Sequence, residues 1–308
     1  AQPLERGSNN YYSIIQGEST LARQQEYKRY TRSRFGNVVY FAFLFLMGAF
    51  SVLPLVYCIC TSLKPLDELL VFPPRFFVYR PTLENFAELP ALLESLQVPL
   101  SRYLFNSVFI SVVSTALQIL VASMAAYVLS KTQIRGRTVF FLIVQFSLLY
   151  NGTTLAVPQY LIFSKLGLID TLLVYILPAI PSSMGVFLCK QYIDSSVPDT
   201  LLEAARIDGA GPMRIYWQII MPIIKPAWMT LLLFAFQGIW AISPSSGTIF
   251  SEELKTLPYV MTTISAGGVA RAGASMAATV ILMIPPILVY FITQSNVMQT
   301  MSSAGMKE

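Results

Sequence analysis

The chain has 308 residues, of which 55% are apolar and 12% charged, with a net charge of +5. A soluble chain typically carries about twice that share of charge, so a water-solvated globule is excluded and the bilayer is read as the solvent. The absence of histidine also excludes a zinc-protease helix and a serine–histidine triad.

In chain order, residues 1–36 form a polar tail carrying Arg6, Arg23, Lys28, Arg29, Arg32 and Arg34. The first apolar run is too long for the core of a cleaved leader, so it reads as a signal anchor. Six apolar stretches follow, at 38–62, 105–129, 139–163, 172–192, 223–242 and 276–293. Each is near the roughly 20 residues that a helix needs to cross a hydrocarbon core. The alternation of a membrane barrel strand is absent. The expected fold is therefore all-α and integral to the membrane: six transmembrane helices within 37–297, with tails at 1–36 and 298–308.

Basic residues set the orientation. Besides the first tail, Lys131, Arg135 and Arg137 crowd the second loop, and Lys190, Arg206, Arg214 and Lys225 flank or occupy the fourth. These segments are expected on the cytoplasmic side, with both termini. In the first outer segment, Lys64, Arg75, Arg80 and Arg102 are offset by Asp67, Glu68, Glu84, Glu88 and Glu94. That segment reads either as a docking surface or as a cap on the bundle. No nucleic-acid module is visible, and the positive charge fits contact of the first tail with anionic membrane lipid.

None of the sixteen acidic residues falls in an expected span. An ion-coupled carrier acting alone, the alternative reading, generally needs ionisable groups buried there. No nucleophile–base or metal cluster supports a membrane enzyme, so the chain is expected to be non-catalytic and to hold no metal. Cys58, Cys60 and Cys189 lie in apolar stretches, where cysteine behaves as a small hydrophobe. A Gly-Lys-Ser/Thr phosphate loop is also missing, so if the chain performs work on a solute, the energy must come from another polypeptide.

The most informative segment is the loop at 196–222 with the residues just after it. Ser196 or Val197 is placed to cap a helix with Pro198 in its first turn, and Glu203, Ala204 and Ala205 follow. Glu203 on its own fits a mere helix-start stabiliser. Gly209 and Gly211 supply a sharp turn, and Pro212 opens a second short helix toward Pro222. Two short helices about a glycine turn can transmit a rigid-body movement.

Glu203-Ala204-Ala205, Asp208-Gly209-Ala210, Ile219 and Pro222 resemble, in order and spacing, the EAA loop of the membrane subunits of bacterial ABC importers. Ser62-Leu63-Lys64-Pro65, Pro81-Thr82-Leu83-Glu84-Asn85-Phe86, Asn106-Ser107, Ala125-Ala126-Tyr127, Gly136-Arg137 and Val157-Pro158 are similar to landmarks of the carbohydrate-importer permeases, specifically the second maltose-type permease. The resemblance implies a type I importer permease fold in the bacterial cytoplasmic membrane, with a cytoplasmic coupling helix. It also implies a second, different permease, two ATPase subunits that bind ATP and magnesium, and an extracellular solute-binding protein that delivers a carbohydrate, with an oligosaccharide as the expected solute. Under it, the loop at 196–222 docks in the ATPase, Gly305 and Lys307 belong to a tail that approaches the ATPase dimer, and the outer loop at 243–275 reaches toward the binding protein. Trp240-Ala241-Ile242-Ser243-Pro244 departs from the family's tryptophan–asparagine pattern there.

Within the spans, Gln145, Asn151, Ser182, Ser183 and Gln237 are neutral donors and acceptors suited to a sugar path, and the rings of Tyr150, Tyr175 and Trp240 are flat faces for stacking. Helix–helix packing and interfacial anchoring compete for the same residues.

Overall fold

In a computed structural model the described residues are 34–94, 97–149, 155–243 and 247–305, and these contain helices and loops but no strand. The principal helices begin with α1 (Arg34–Ser62), α2 (Glu84–Glu94), α3 (Leu100–Lys131), α4 (Arg137–Ser147), α5 (Ala156–Lys165) and α6 (Leu173–Ala179). They continue with α7 (Ser183–Ser196), α8 (Asp199–Ile207), α9 (Pro212–Ile223), α10 (Lys225–Trp240), α11 (Leu257–Ser265) and α12 (Ala272–Gly305).

Among the described residues, four stretches are long and apolar enough to cross a membrane: Phe35–Ser62, Leu100–Lys131, Leu173–Ser196 and Ala272–Met298. The pair α9 and α10, bent by 79°, makes a fifth if it is one span. The stretch expected as a single helix at 139–163 is divided into α4 and α5, and residues 150–154 between them lie outside the described set. Pro158 falls in the first turn of α5, where its missing N–H breaks no intrahelical bond. A helix start is thus favoured at a position where a helix interior was expected.

The chain divides into two compact units, 1–56 and 57–308. In the first, α1 is apolar around its circumference, and from Phe35 to Leu55 every residue except Gly36 is exposed. Such a helix is stable in lipid or against another chain, not in water.

In the second unit α3 packs against α7 and α10, and α10 packs against α12. Small buried residues on α3, among them Ser111, Ser114, Ala122 and Ala126, allow this close approach. The contact is tightest at Gly185 of α7, where an added Cβ would stand 2.9 Å from Leu231 and 3.0 Å from Ala122. Larger side chains there would push α7 off its neighbours.

Side-chain clamps close the other end of this unit. The Asn85 amide donates to the carbonyls of Ser62 (2.8 Å) and Lys64 (2.7 Å), and the Asn106 amide donates to those of Glu253 (2.7 Å) and Lys255 (2.9 Å). Ser107 accepts from the Leu257 N–H at 2.8 Å. The Asp170 carboxylate accepts from the N–H groups of Phe250 and Ser251 and from the Ser251 hydroxyl, which holds it below the usual carboxylate range. These asparagine and serine landmarks therefore satisfy loop backbone that has no partner in a helix.

Candidate functional site

Between α7 and α10 the chain forms a bent knuckle of two short helices, α8 and α9. Val197 still closes α7, its N–H donating to the Ile193 carbonyl at 3.1 Å. The start of α8 is therefore later than expected: Pro198 occupies the N-cap position without a side-chain cap, and Asp199 is the first helical residue. Asp199, not Glu203, is the acidic residue in the first turn, so helix-start stabilisation does not explain Glu203.

The end of α8 is a Schellman motif. Gly209 has φ +78°, its N–H donates to the Arg206 carbonyl at 3.0 Å, and the Ala210 N–H reaches back to the Ala205 carbonyl at 2.9 Å. Glycine occupies this left-handed position without the penalty that a Cβ brings. Ala205 and Ala210, both half-buried, pack on the same apolar cluster.

Helical spacing separates the two faces of α8. Leu202 points inward and is 2% exposed, joining Ile193, Val197, Ile215, Tyr216, Ile220 and Ile224. Thr200, Glu203, Ala204 and Ile207, spaced i, i+3, i+4 and i+7, share the exposed face. Ile207 is 86% exposed and Met213 and Trp217 more than half, an apolar tip that an isolated chain does not need. Asp208 and Gly209 are exposed beside it.

Both arms are fixed to the helices behind them. The Lys131 ammonium, at the end of α3, donates to the Val197 carbonyl (2.7 Å) and to the Asp199 carboxylate (2.8 Å). The hydrogen bond and charge of Lys131 hold the Asp199 carboxyl below its ordinary range. In α9, residues 216–220 form a π-turn, and the Tyr216 hydroxyl lies 2.8 Å from that of Ser123 on α3. Ile219 is half-buried and Pro222 exposed, just before the bend at Ile224. Trp228 spans that bend, its indole N–H donating at 3.1 Å to the Met221 carbonyl, which the break in the helix leaves open. The knuckle is thus a solid attachment on three helices with one exposed, partly apolar face.

The polar residues expected along a path are scattered. Ser182 caps α7 by accepting from the Gly185 N–H at 3.0 Å, and Ser183 hydrogen-bonds Ser147 of α4. Gln145 is half-buried and Gln237 exposed, each without a side-chain hydrogen bond among the described residues. Tyr150 and Asn151 lie outside the described residues, as does Lys307; Gly305 ends α12. Trp240, expected as a stacking face, is buried at 3% exposure, and its indole N–H donates to the Leu282 carbonyl at 2.9 Å. The physical reason is Pro286, four residues on, which has no N–H to offer that carbonyl. Tyr175 is also buried.

Sequence reasoning missed Lys131, Ser123 and Tyr216 as anchors and Ile207 as the exposed tip. For Ile207 a signal existed in its spacing from Glu203 and Ala204. For the anchors none did, since their partners stand 68 and 93 residues away.

The chain matches the family described as binding-protein-dependent transport system inner membrane component over residues 21–303. It is 33% identical over 202 residues to Protein LplC of Bacillus subtilis, a match covering 63% of this chain and 63% of that protein. It is 29% identical over 276 residues to the arabinooligosaccharides transport system permease protein AraQ of Halalkalibacterium halodurans, covering 87% of this chain and 94% of AraQ. A crystal structure of a bacterial ABC transporter involved in the import of the acidic polysaccharide alginate contains a chain of the same fold, with a TM-score of 0.71 and 24% identity. That likeness covers 86% of this chain and 98% of the other.

Proposed function

The chain belongs to the family of binding-protein-dependent transport system inner membrane components, and from that premise we propose that it is one of two different permease subunits of an ATP-driven carbohydrate importer. Six helices cross the cytoplasmic membrane in this reading, within 37–297, with α4 and α5 together as the third and both tails, 1–36 and 298–308, inside. An extracellular binding protein delivers the solute, an oligosaccharide as the name of AraQ has it. Two ATPase subunits, holding ATP and magnesium, supply the work. A carrier acting alone has no support from the family.

The observation that carries this reading is the pairing of an exposed face on α8 with a fully anchored back. Glu203, Ala204, Asp208, Gly209 and Ile207 are placed to meet an ATPase subunit, with Ala205 and Ala210 supporting the turn, and Gly305 and Lys307 approach the same subunits from the end of the chain. Closure of the ATPase pair then displaces α8. Lys131, Leu202 and Tyr216 carry the displacement into α3, α7 and α9, and Ile219 and Pro222 lead it to the bend before α10. Rigid elements with two packed arrangements transmit such a shift, whereas a floppy loop absorbs it. The path for the solute runs past Gln145, Tyr150, Asn151, Ser182, Ser183 and Gln237 in an outward-open form, with the loop at 243–275 toward the binding protein and Trp240 held in the packing between α10 and α12.

Glu203→Ala and Gly209→Ala test the proposal in proteoliposomes holding the complete importer. Each is expected to lower uptake per ATP hydrolysed by about tenfold, within the range of allosteric couplings, with membrane insertion unchanged. Normal uptake by both variants would remove the coupling role.

A further inference from the structure

A cavity of about 290 Å³ opens beside the knuckle's anchor, where the ends of α3, α4 and α7 meet, and its walls carry Ser130, Arg137, Thr138, Phe141, Lys190 and Asp194. The Lys190 ammonium is half-buried, 2.6 Å from one oxygen of Asp194 and 4.4 Å above the centre of the Phe141 ring. Ser130 donates to the other oxygen of Asp194. Both oxygens of Asp194 thereby accept a hydrogen bond, while Lys190 keeps donors free. The Arg137 guanidinium makes no hydrogen bond or ion pair among the described residues, so its five N–H donors remain open at the rim.

Two cations against one carboxylate leave the cavity with one net positive charge, and a phosphodiester carries one negative charge. Immediately after Arg137 and Thr138, α4 turns apolar, and Val139, Phe140, Leu142, Ile143 and Phe146 are all exposed. A charged cup at the head of an uncovered apolar helix face has the two-part chemistry of a phospholipid: anion above, acyl chain below. We propose that this cavity binds the phosphate of an anionic phospholipid headgroup in the leaflet on the knuckle's side. Ser130 adjoins Lys131, and Asp194 lies one turn before Val197, so the bound lipid braces the corner on which α8 is anchored. The proposal does not depend on what the importer carries.

Native mass spectrometry of the full chain, purified in gentle detergent and incubated with equimolar phosphatidylglycerol and phosphatidylcholine, tests it. The wild type is expected to retain the anionic lipid preferentially. Arg137→Gln and Lys190→Met should each reduce that preference about fivefold, the effect of one basic residue near an anionic lipid surface. Arg137 is exposed, so its replacement leaves packing alone, and methionine keeps the Lys190 stem on Phe141. Equal retention of the two lipids by the wild type, or an undiminished preference in both variants, would overturn the proposal. So would displacement of the lipid by millimolar inorganic phosphate, which would identify a site for a free anion instead.

Discussion

Asp199 carries the electrostatics of the knuckle. Its carboxyl is held low by the hydrogen bond and then the charge of Lys131, whose own side chain is only 8% exposed. A depressed folded-state pKa means that the stabilisation is fully present above the ordinary carboxylate value, near 3.9. It is lost as pH falls from there through the lower folded value. Hydrogen exchange of the α8 amides should therefore be insensitive to this pair between about pH 5 and 8 and rise relative to α3 below about pH 4. In Asp199→Asn the α8 amides should exchange faster at neutral pH and the acid-dependent rise should disappear; a rise that persists would assign it to another group. Gly209, by contrast, acts through backbone alone. At φ +78° with no atom within 4 Å of an added Cβ, alanine meets no clash, only the conformational penalty of about 1 kcal/mol.

At the level of whole helices, tryptophan and proline act as a pair. Pro286 leaves the Leu282 carbonyl of α12 without its partner, and the break near Pro222 and Pro226 leaves that of Met221; Trp240 and Trp228 supply the missing donors. An unmatched carbonyl is more costly in hydrocarbon than in water, although measured hydrogen bonds in membrane proteins contribute only about 0.6 kcal/mol on average. Trp240→Phe should keep most of the stacking on Phe236 but lose the bond to Leu282. A stability loss of about 1–2 kcal/mol is expected, read as a lower melting temperature in detergent. If Trp240 were instead a sugar-stacking face, the same variant would weaken sugar uptake with no change in melting.

Across the molecule, the distribution of exposed apolar surface matters most. The bundle-facing side of the knuckle is buried, while its tip exposes Ile207, Met213 and Trp217, and α1 exposes every residue from Asn37 to Leu55. In the proposed arrangement lipid covers α1, whereas the tip stands in water and needs a protein partner. Ile207→Asp should therefore weaken retention of the ATPase through gentle-detergent purification by about tenfold or more, since burying an unpaired charge costs at least 1–2 kcal/mol. The fold should be untouched, because Ile207 contacts solvent. Undiminished co-purification would place the ATPase contact elsewhere.

The apolar stretches and the glycine turn of the knuckle could be read directly from the residue order, because hydropathy over about 20 residues and a left-handed turn are local properties. Helical spacing likewise contained the exposed face of α8. Four matters were settled only by packing: that 139–163 is divided, that Pro198 precedes α8, that Trp240 is buried as a cap, and that Lys131, Ser123 and Leu202 hold the knuckle. Each depends on a partner far along the chain, or on competition between neighbouring helices for the same residue. A carbonyl freed by Pro286 does not announce which indole will reach it. That choice arises when α10 and α12 come together, and hydrocarbon, which offers no substitute donor, enforces it.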